Sequence, residues 1–174
     1  MLDTLRSRLV RIGPSLVRAP VKLTPFALKR QVLEQLLGWQ FRQALEDGEL
    51  EFLEDRWLQI NVRDIGLSWF TSVQDGRLVV SEQAQPDVTF SADANDLLLI
   101  AARKQDPDTL FFQRRLSIEG DTELGLYVKN LMDAIDLDTM PKPLRLMLLK
   151  AADFVEAGLK ATPAESKQSV GEPC

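Results

Sequence analysis

The chain of 174 residues contains no histidine, and its single cysteine is its last residue, Cys174. These absences exclude a Ser-His-Asp triad, a Cys-His pair, a histidine base and the usual zinc ligand sets. One cysteine cannot close an internal disulfide, which suits a reducing compartment. There is no glycine-rich phosphate loop and no dinucleotide fingerprint. No apolar run approaches the ~20 residues that span a bilayer. The opening MLDTLRSRLVRIGPS lacks the long apolar core of a secretory signal. The expected location is therefore the cytoplasm, with peripheral contact at the inner membrane face left open. Catalysis would have to rest on carboxylates, lysine, the lone tyrosine or a bound cofactor, which favours a binding protein over an enzyme.

Hydrophobic residues make up 45% of the chain, enough for one globular domain with appended helices. The net charge of −5 is unevenly spread. Residues 1–30 carry seven basic side chains against Asp3, whereas residues 31–140 carry 9 basic and 21 acidic ones. A basic arm is attached to an acidic body, and an acidic body is a poor nucleic-acid surface.

Leu2, Leu5, Leu9 and Ile12 recur at the spacing of one helix face, with Arg6, Arg8 and Arg11 elsewhere on the wheel. Gly13-Pro14 is expected to stop this helix. A connector with Pro14 and Pro20 leads to Thr24-Pro25, read as a cap followed by proline at the first helical position. The second helix should run to about Leu45. Leu50 and Phe52 are expected to begin a strand. Alternation then marks strands at Leu58–Val62, Leu67–Val73, Arg77–Val80 and Val88–Ala92, with a hairpin turn at Gln74-Asp75-Gly76. Asp93 or Asn95 should cap a helix to about Lys104, and Asp106–Phe112 reads as a turn or short helix. Residues 113–131, QRRLSIEGDTELGLYVKNL, give a strand at Leu116–Ile118, a Gly120-Asp121 corner and a helix capped by Asp121 or Thr122. Pro141 and Pro143 open a last helix to about Lys160. Its apolar face, widened by Leu146, Leu149 and Phe154, exceeds one packing stripe. Residues 162–174 are polar and expected to fray.

Val88-Thr89-Phe90, the helix Asn95–Lys104, the turn Asp106-Pro107 and the run Ile118-Glu119-Gly120-Asp121 together resemble the sterol carrier protein type 2 family of lipid-binding domains. The likeness covers roughly residues 36–135. Thr122 stands where many members have Met, which alters a wall residue. Arg114-Arg115 stands where Gly-Lys is common, which alters surface charge. The resemblance implies an α+β fold: about five mostly antiparallel strands covered by helices enclosing an apolar tunnel, with helical arms at both ends. The expected division is an arm over 1–35, the lipid-binding domain over 36–135, an amphipathic helix over 136–161 and a tail over 162–174.

Aromatic and aliphatic periodicity cannot separate a filled core from a hollow one; the resemblance points to a hollow one. The wall residues it implies are Phe41, Leu45, Ile60, Trp69, Phe90, Leu98, Phe112, Leu116, Leu124, Val128 and Leu131. The basic first helix admits packing or dimerisation, peripheral membrane contact, or a presequence. For membrane contact the candidates are Leu2, Leu5, Arg6, Arg8, Leu9, Arg11, Leu146 and Leu149. Glu119, Asp121 and Glu123 form the best carboxylate cluster, and a helix cap beside a solvated strand edge accounts for it. No catalytic residue and no metal ligand is assigned.

With its two arms, the whole chain is also similar to a bacterial family of accessory factors for oxygen-independent ubiquinone synthesis. That likeness implies a non-enzymatic protein that needs no cofactor and holds polyprenylated quinone intermediates. It would hold them for partner hydroxylases of the UbiU/UbiV type. A general phospholipid carrier or membrane-recruitment module is the alternative, and a lipid-modifying enzyme run by carboxylates is a third class.

Overall fold

The computed structural model describes residues 2–160; the polar tail, Cys174 included, lies outside the described residues. Helices α1 (Leu2–Leu23), α2 (Phe26–Gln40) and α3 (Arg42–Glu46) precede the sheet. Strands β1 (Leu58–Val62), β2 (Leu67–Gln74), β3 (Arg77–Ser81) and β4 (Val88–Ala92) follow, then helices α4 (Ala94–Ala101) and α5 (Pro107–Phe112). Strand β5 (Leu116–Gly120), α6 (Thr122–Asp133) and α7 (Lys142–Lys160) complete the order. The architecture is α+β with a five-stranded sheet in the order β3-β2-β1-β4-β5. Only the central β1–β4 pair is parallel.

Register sorts the two faces. Ile60 lies opposite Trp69 on one side and Phe90 on the other, and Phe90 lies opposite Ile118. This row faces the helices. One residue along, Gln59 bonds Ser68 and Thr89, and Asn61 bonds Ser91, so the reverse face is polar. Asp75 and Gly76 both have positive φ, as a two-residue hairpin turn of primed type demands.

Asp87 ties three strand ends together. Its carboxylate accepts from the Trp57 N–H at 2.7 Å, and its own N–H donates to the Trp57 carbonyl at 2.8 Å. Its carbonyl accepts from the Asp121 N–H at 2.9 Å. A side chain at Gly120, where φ is +110°, would strike that same carbonyl. Glycine at this corner is therefore required, and α6 can fold back over β4 and β5. Asp121 caps α6 by accepting from the Leu124 N–H at 2.9 Å, and Asp106 caps α5 by accepting from the Thr109 N–H.

The first helix does not stop at Gly13-Pro14. It runs unbroken to Leu23 through both Pro14 and Pro20. Proline at 14 removes the N–H that would bond the Val10 carbonyl. The Asn95 side-chain amide supplies the missing donor at 3.2 Å. Val10 is buried between α1 and α7, so that carbonyl needs a partner. Thr24 is no cap: its hydroxyl donates back to the Pro20 carbonyl, and Pro25 itself precedes α2. The expected long second helix bends at Phe41 into α2 and α3.

Leu50 and Phe52 begin no strand. Glu51–Leu53 is a 3₁₀ turn, which buries Leu50 and Leu53, three residues apart. The α4 cap also comes from elsewhere. Asp93 occupies the cap position without a side-chain bond to the helix, and Asp64 accepts from the Ala94 N–H at 2.9 Å. Asn95 is spent on Val10, and α4 ends at Ala101 rather than Lys104.

Candidate functional site

The helix-facing side of the sheet is filled at one end and hollow at the other. Over β4 and β5, Val88, Phe90, Leu110, Leu116, Leu124 and Val128 form a close-packed core. Over β1, β2 and β3, Ile60, Trp69 and Leu78 are only partly buried, although the helices pass above them. The space left is an apolar cavity of about 370 Å³. Its floor is Leu58, Ile60, Trp69, Thr71 and Leu78. Leu36, Leu37, Trp39 and Gln40 of α2 line one side, with Phe41 at the bend. Leu97 and Ala101 of α4 and Val128, Leu131 and Met132 of α6 line the other. Ile135, Thr139, Met140 and Pro141, with Leu144 and Leu148 of α7, close the end.

Helix α2 is a lightly held wall. It packs along β3 yet buries no residue of its own. Glu34 fastens it, accepting from the Val80 N–H of the edge strand and from Arg30, each at 3.1 Å. Leu28, Val32, Leu36 and Trp39 leave an exposed apolar stripe that leads to the cavity.

Of the wall residues read from the sequence, Phe41, Ile60, Trp69, Val128 and Leu131 do line the cavity. Six others do not. Phe90, Leu116 and Leu124 are buried in the filled half. Leu45 packs against that core from α3, and Leu98 against the second cluster around Val10, Leu99, Ala152 and Val155. Phe112 is 80% exposed at the end of α5. Thr122 is likewise exposed at the start of α6 and forms no wall. The sequence reading missed the α2 wall, the 135–141 segment and the α7 contribution. The unusually wide apolar face of α7 was the available signal for the last of these.

The membrane-contact candidates divide too. Leu2, Leu5 and Leu9 are exposed, as are Ile12, Leu16 and Leu23 on the same stripe. At about 100° per residue these six fall within an arc of roughly 80°. Arg8 and Arg11 are exposed. The Arg6 guanidinium lies over the Phe154 ring, 5.5 Å from its centre. Leu146 is exposed, whereas Leu149 is half-buried and packs against the second cluster.

A polar crevice lies where α1, α4 and β5 meet, lined among others by Arg11, Arg63, Asp64, Asp93, Asp96 and Arg115. Its charges are used in structure: Arg115 pairs with Asp96, and Arg63 with Asp93 at 3.6 Å. Burial, then the neighbouring Asp64, raises the Asp93 carboxyl above the usual range. The carboxylates singled out in the sequence lie away from the cavity. Asp121 caps α6 and pairs with Arg56 at 3.4 Å, Glu119 accepts from Ser117, and Glu123 is exposed. Among the described residues, no group of three or more His, Cys, Asp or Glu could hold a metal ion. No helix among them is long and apolar enough to cross a membrane.

An apolar hollow between a five-stranded sheet and its covering helices agrees with the family match. The model of the SCP-2 sterol transfer family matches residues 33–133. The chain belongs to this family. The match spans all five strands, α3 to α6 and the second half of α2, and leaves α1, the start of α2 and α7 outside it. Among SCP-2 proteins, the chain is 77% identical to "Ubiquinone biosynthesis accessory factor UbiT" of Escherichia coli (strain K12), over 174 residues and the whole of both chains. The same identity and coverage hold for the UbiT of Escherichia coli O157:H7. Among solved structures, "UbiJ-SCP2 Ubiquinone synthesis protein" shares the fold with a TM-score of 0.52 at 22% identity. That likeness covers 63% of this chain and 97% of the other.

Proposed function

We propose that this SCP-2 protein is a non-enzymatic accessory factor of ubiquinone synthesis that shelters the apolar part of a polyprenylated quinone intermediate. On this reading it presents the ring to partner hydroxylases of the UbiU/UbiV type in oxygen-independent synthesis. The observation that carries the reading is the cavity over β1, β2 and β3. Its volume lies within the range of small-molecule sites, and its walls are almost wholly aliphatic and aromatic. Each CH₂ moved there from water gains ~0.8 kcal/mol, so ten contribute about 8 kcal/mol. An isoprenoid tail needs that shelter and no catalytic group. The name of the 77%-identical relative supports the choice of ubiquinone chemistry.

The test is extraction of lipid from the purified full-length protein, followed by mass analysis. Isoprenoid quinone intermediates are expected. Phospholipids alone would favour a general carrier, and turnover of a bound lipid would favour an enzyme.

The same reading assigns α1 to loading at a membrane. Its leucine stripe is exposed while Arg8, Arg11, Arg18 and Lys22 flank it, the pattern of an interfacial helix. Basic residues near anionic lipid contribute about 1 kcal/mol each, and salt screens them. Co-flotation with liposomes should require anionic lipid, fall with ionic strength, and drop when residues 1–18 are removed. Equal binding to neutral and anionic liposomes, or none to either, would leave α1 as a packing or dimer element.

A further inference from the structure

Of the residues that line the cavity, Leu36 and Trp39 of α2 and Thr139 of the 3₁₀ turn Leu137–Thr139 are exposed, and the others are buried or half-buried. The cavity therefore meets solvent between α2 and that turn. Leu36 and Trp39 also end the exposed apolar stripe of α2, which begins at Leu28 and runs through Val32. At about 100° and 1.5 Å per residue, these four side chains fall within an arc of roughly 80°, and Leu28 stands about 16 Å from Trp39 along the axis. Leu28 and Val32 lie outside the cavity. One apolar surface thus continues from the interior, through the mouth, onto the outside of the protein.

The volume says why such a continuation matters. A chain carbon fills about as much space as a water in the liquid, roughly 30 Å³. A cavity of about 370 Å³ then holds about a dozen carbons, little more than two isoprene units. The rest of a longer polyprenyl tail has to lie elsewhere on the protein or stand in water. The border of the stripe favours neutral hydrocarbon as its occupant. By the same helical spacing, Gln31 and Gln35 edge it on one side and Lys29 alone on the other. The leucine stripe of α1, by contrast, is flanked by Arg8, Arg11, Arg18 and Lys22, as a helix for anionic lipid requires. We infer that the α2 stripe carries the part of a polyprenyl tail that the cavity cannot hold. The tail enters end first, its last units fill the cavity, and the units nearer the ring lie along Trp39, Leu36, Val32 and Leu28. With bonds of about 1.5 Å an extended isoprene unit spans about 5 Å, so the stripe takes about three. The ring stays outside, beyond Leu28, where a partner enzyme can reach it. This rests on the proposal that the cavity holds a prenylated lipid, and adds that α2 reads the length of the tail.

The test measures affinities of the full-length protein for 2-geranylphenol, 2-farnesylphenol and 2-geranylgeranylphenol, with two, three and four isoprene units, by displacement of a bound apolar fluorophore. Wild type should hold the four-unit probe about tenfold more tightly than the three-unit one, because the added unit lies on the stripe with one side still in water. The double variant Leu28→Gln/Val32→Gln changes only side chains outside the cavity, and circular dichroism checks its fold. It should bind the two-unit probe as wild type does and the four-unit probe about tenfold less tightly. Each comparison of variant with wild type uses one probe, so the probe's own behaviour in water cancels. A wild-type affinity that stops rising at three units would overturn the stripe and leave the cavity proposal standing, whether or not the variant folds. An equal weakening of all three probes in the folded variant would do the same, since α2 would then only shape the cavity. So would an unchanged length series accompanied by loss of liposome co-flotation or of a dimer, which would give the stripe to a membrane or to a second copy. Binding of none of the three by wild type would contradict the lipid cavity itself, and the stripe with it.

Discussion

One hydrogen bond decides the shape of the amino-terminal arm. Gly13-Pro14 carries a strong local stop signal, and no pattern within residues 1–30 says otherwise. The compensating donor sits on Asn95, 85 positions away, and only the fold brings it to the Val10 carbonyl. Replacing Asn95 with Ala should leave that buried carbonyl unpaired and cost about 1–2 kcal/mol. Thermal unfolding should show the loss, and amide exchange should rise in α1 around Pro14 ahead of the sheet. An unchanged exchange pattern would mean that α1 is held by packing alone. The same difference between local and distant information governs the wall residues. Ile60 and Phe90 sit side by side in register, both apolar and both on the helix-facing side. One faces the hollow and the other is buried in the filled half. Period-two alternation places both on the face but carries nothing about what stands above them. By contrast Gly120 and Asp121 were legible, since a tight corner and a helix cap are local chemistry.

Elements with long, regular patterns were read closely. Four of the five strands, the 74–76 turn, α6 and α7 lie where alternation and capping put them, and β5 runs on to Gly120, past its expected end at Ile118. Short apolar pairs such as Leu50 and Phe52 fit a strand or a turn equally, and burial of Leu53 settled that segment as a 3₁₀ turn. The α2 wall is a further property that no single segment reveals. Its apolar residues resemble those of any amphipathic helix, yet none is buried, and Glu34 bonding to the β3 edge is a principal tie. Glu34→Ala should remove that tie and leave the Val80 N–H without its acceptor. We expect faster exchange of a bound apolar probe, by severalfold, with little change in equilibrium affinity. Stopped-flow release would measure it. A loss of affinity with no change in release rate would show that α2 shapes the cavity without gating it.

At the scale of the molecule, two apolar clusters do different work. The one beneath α5 and α6 is filled and holds the sheet together, and the one among α1, α4 and α7 holds the arms. The cavity lies beside the first, over strands whose outward face is polar. The fold class was legible in the sequence because motif and alternation agree over a hundred residues. The position of the hollow was not, because it depends on how helices from both ends of the chain span one half of the sheet. The central claim is that a lipid occupies this hollow. Ile60 lies on its floor between half-buried Trp69 and buried Phe90, so Ile60→Trp should fill space in the hollow, and the fold of the β4–β5 core is checked alongside. Native mass spectrometry of wild type and Ile60→Trp, each incubated with the same excess of 2-farnesylphenol, counts bound lipid per protein chain. One lipid per chain is predicted for wild type and much less than one for the variant, with matching circular dichroism spectra. Equal occupancy in both folded proteins, or none in wild type, would contradict the account.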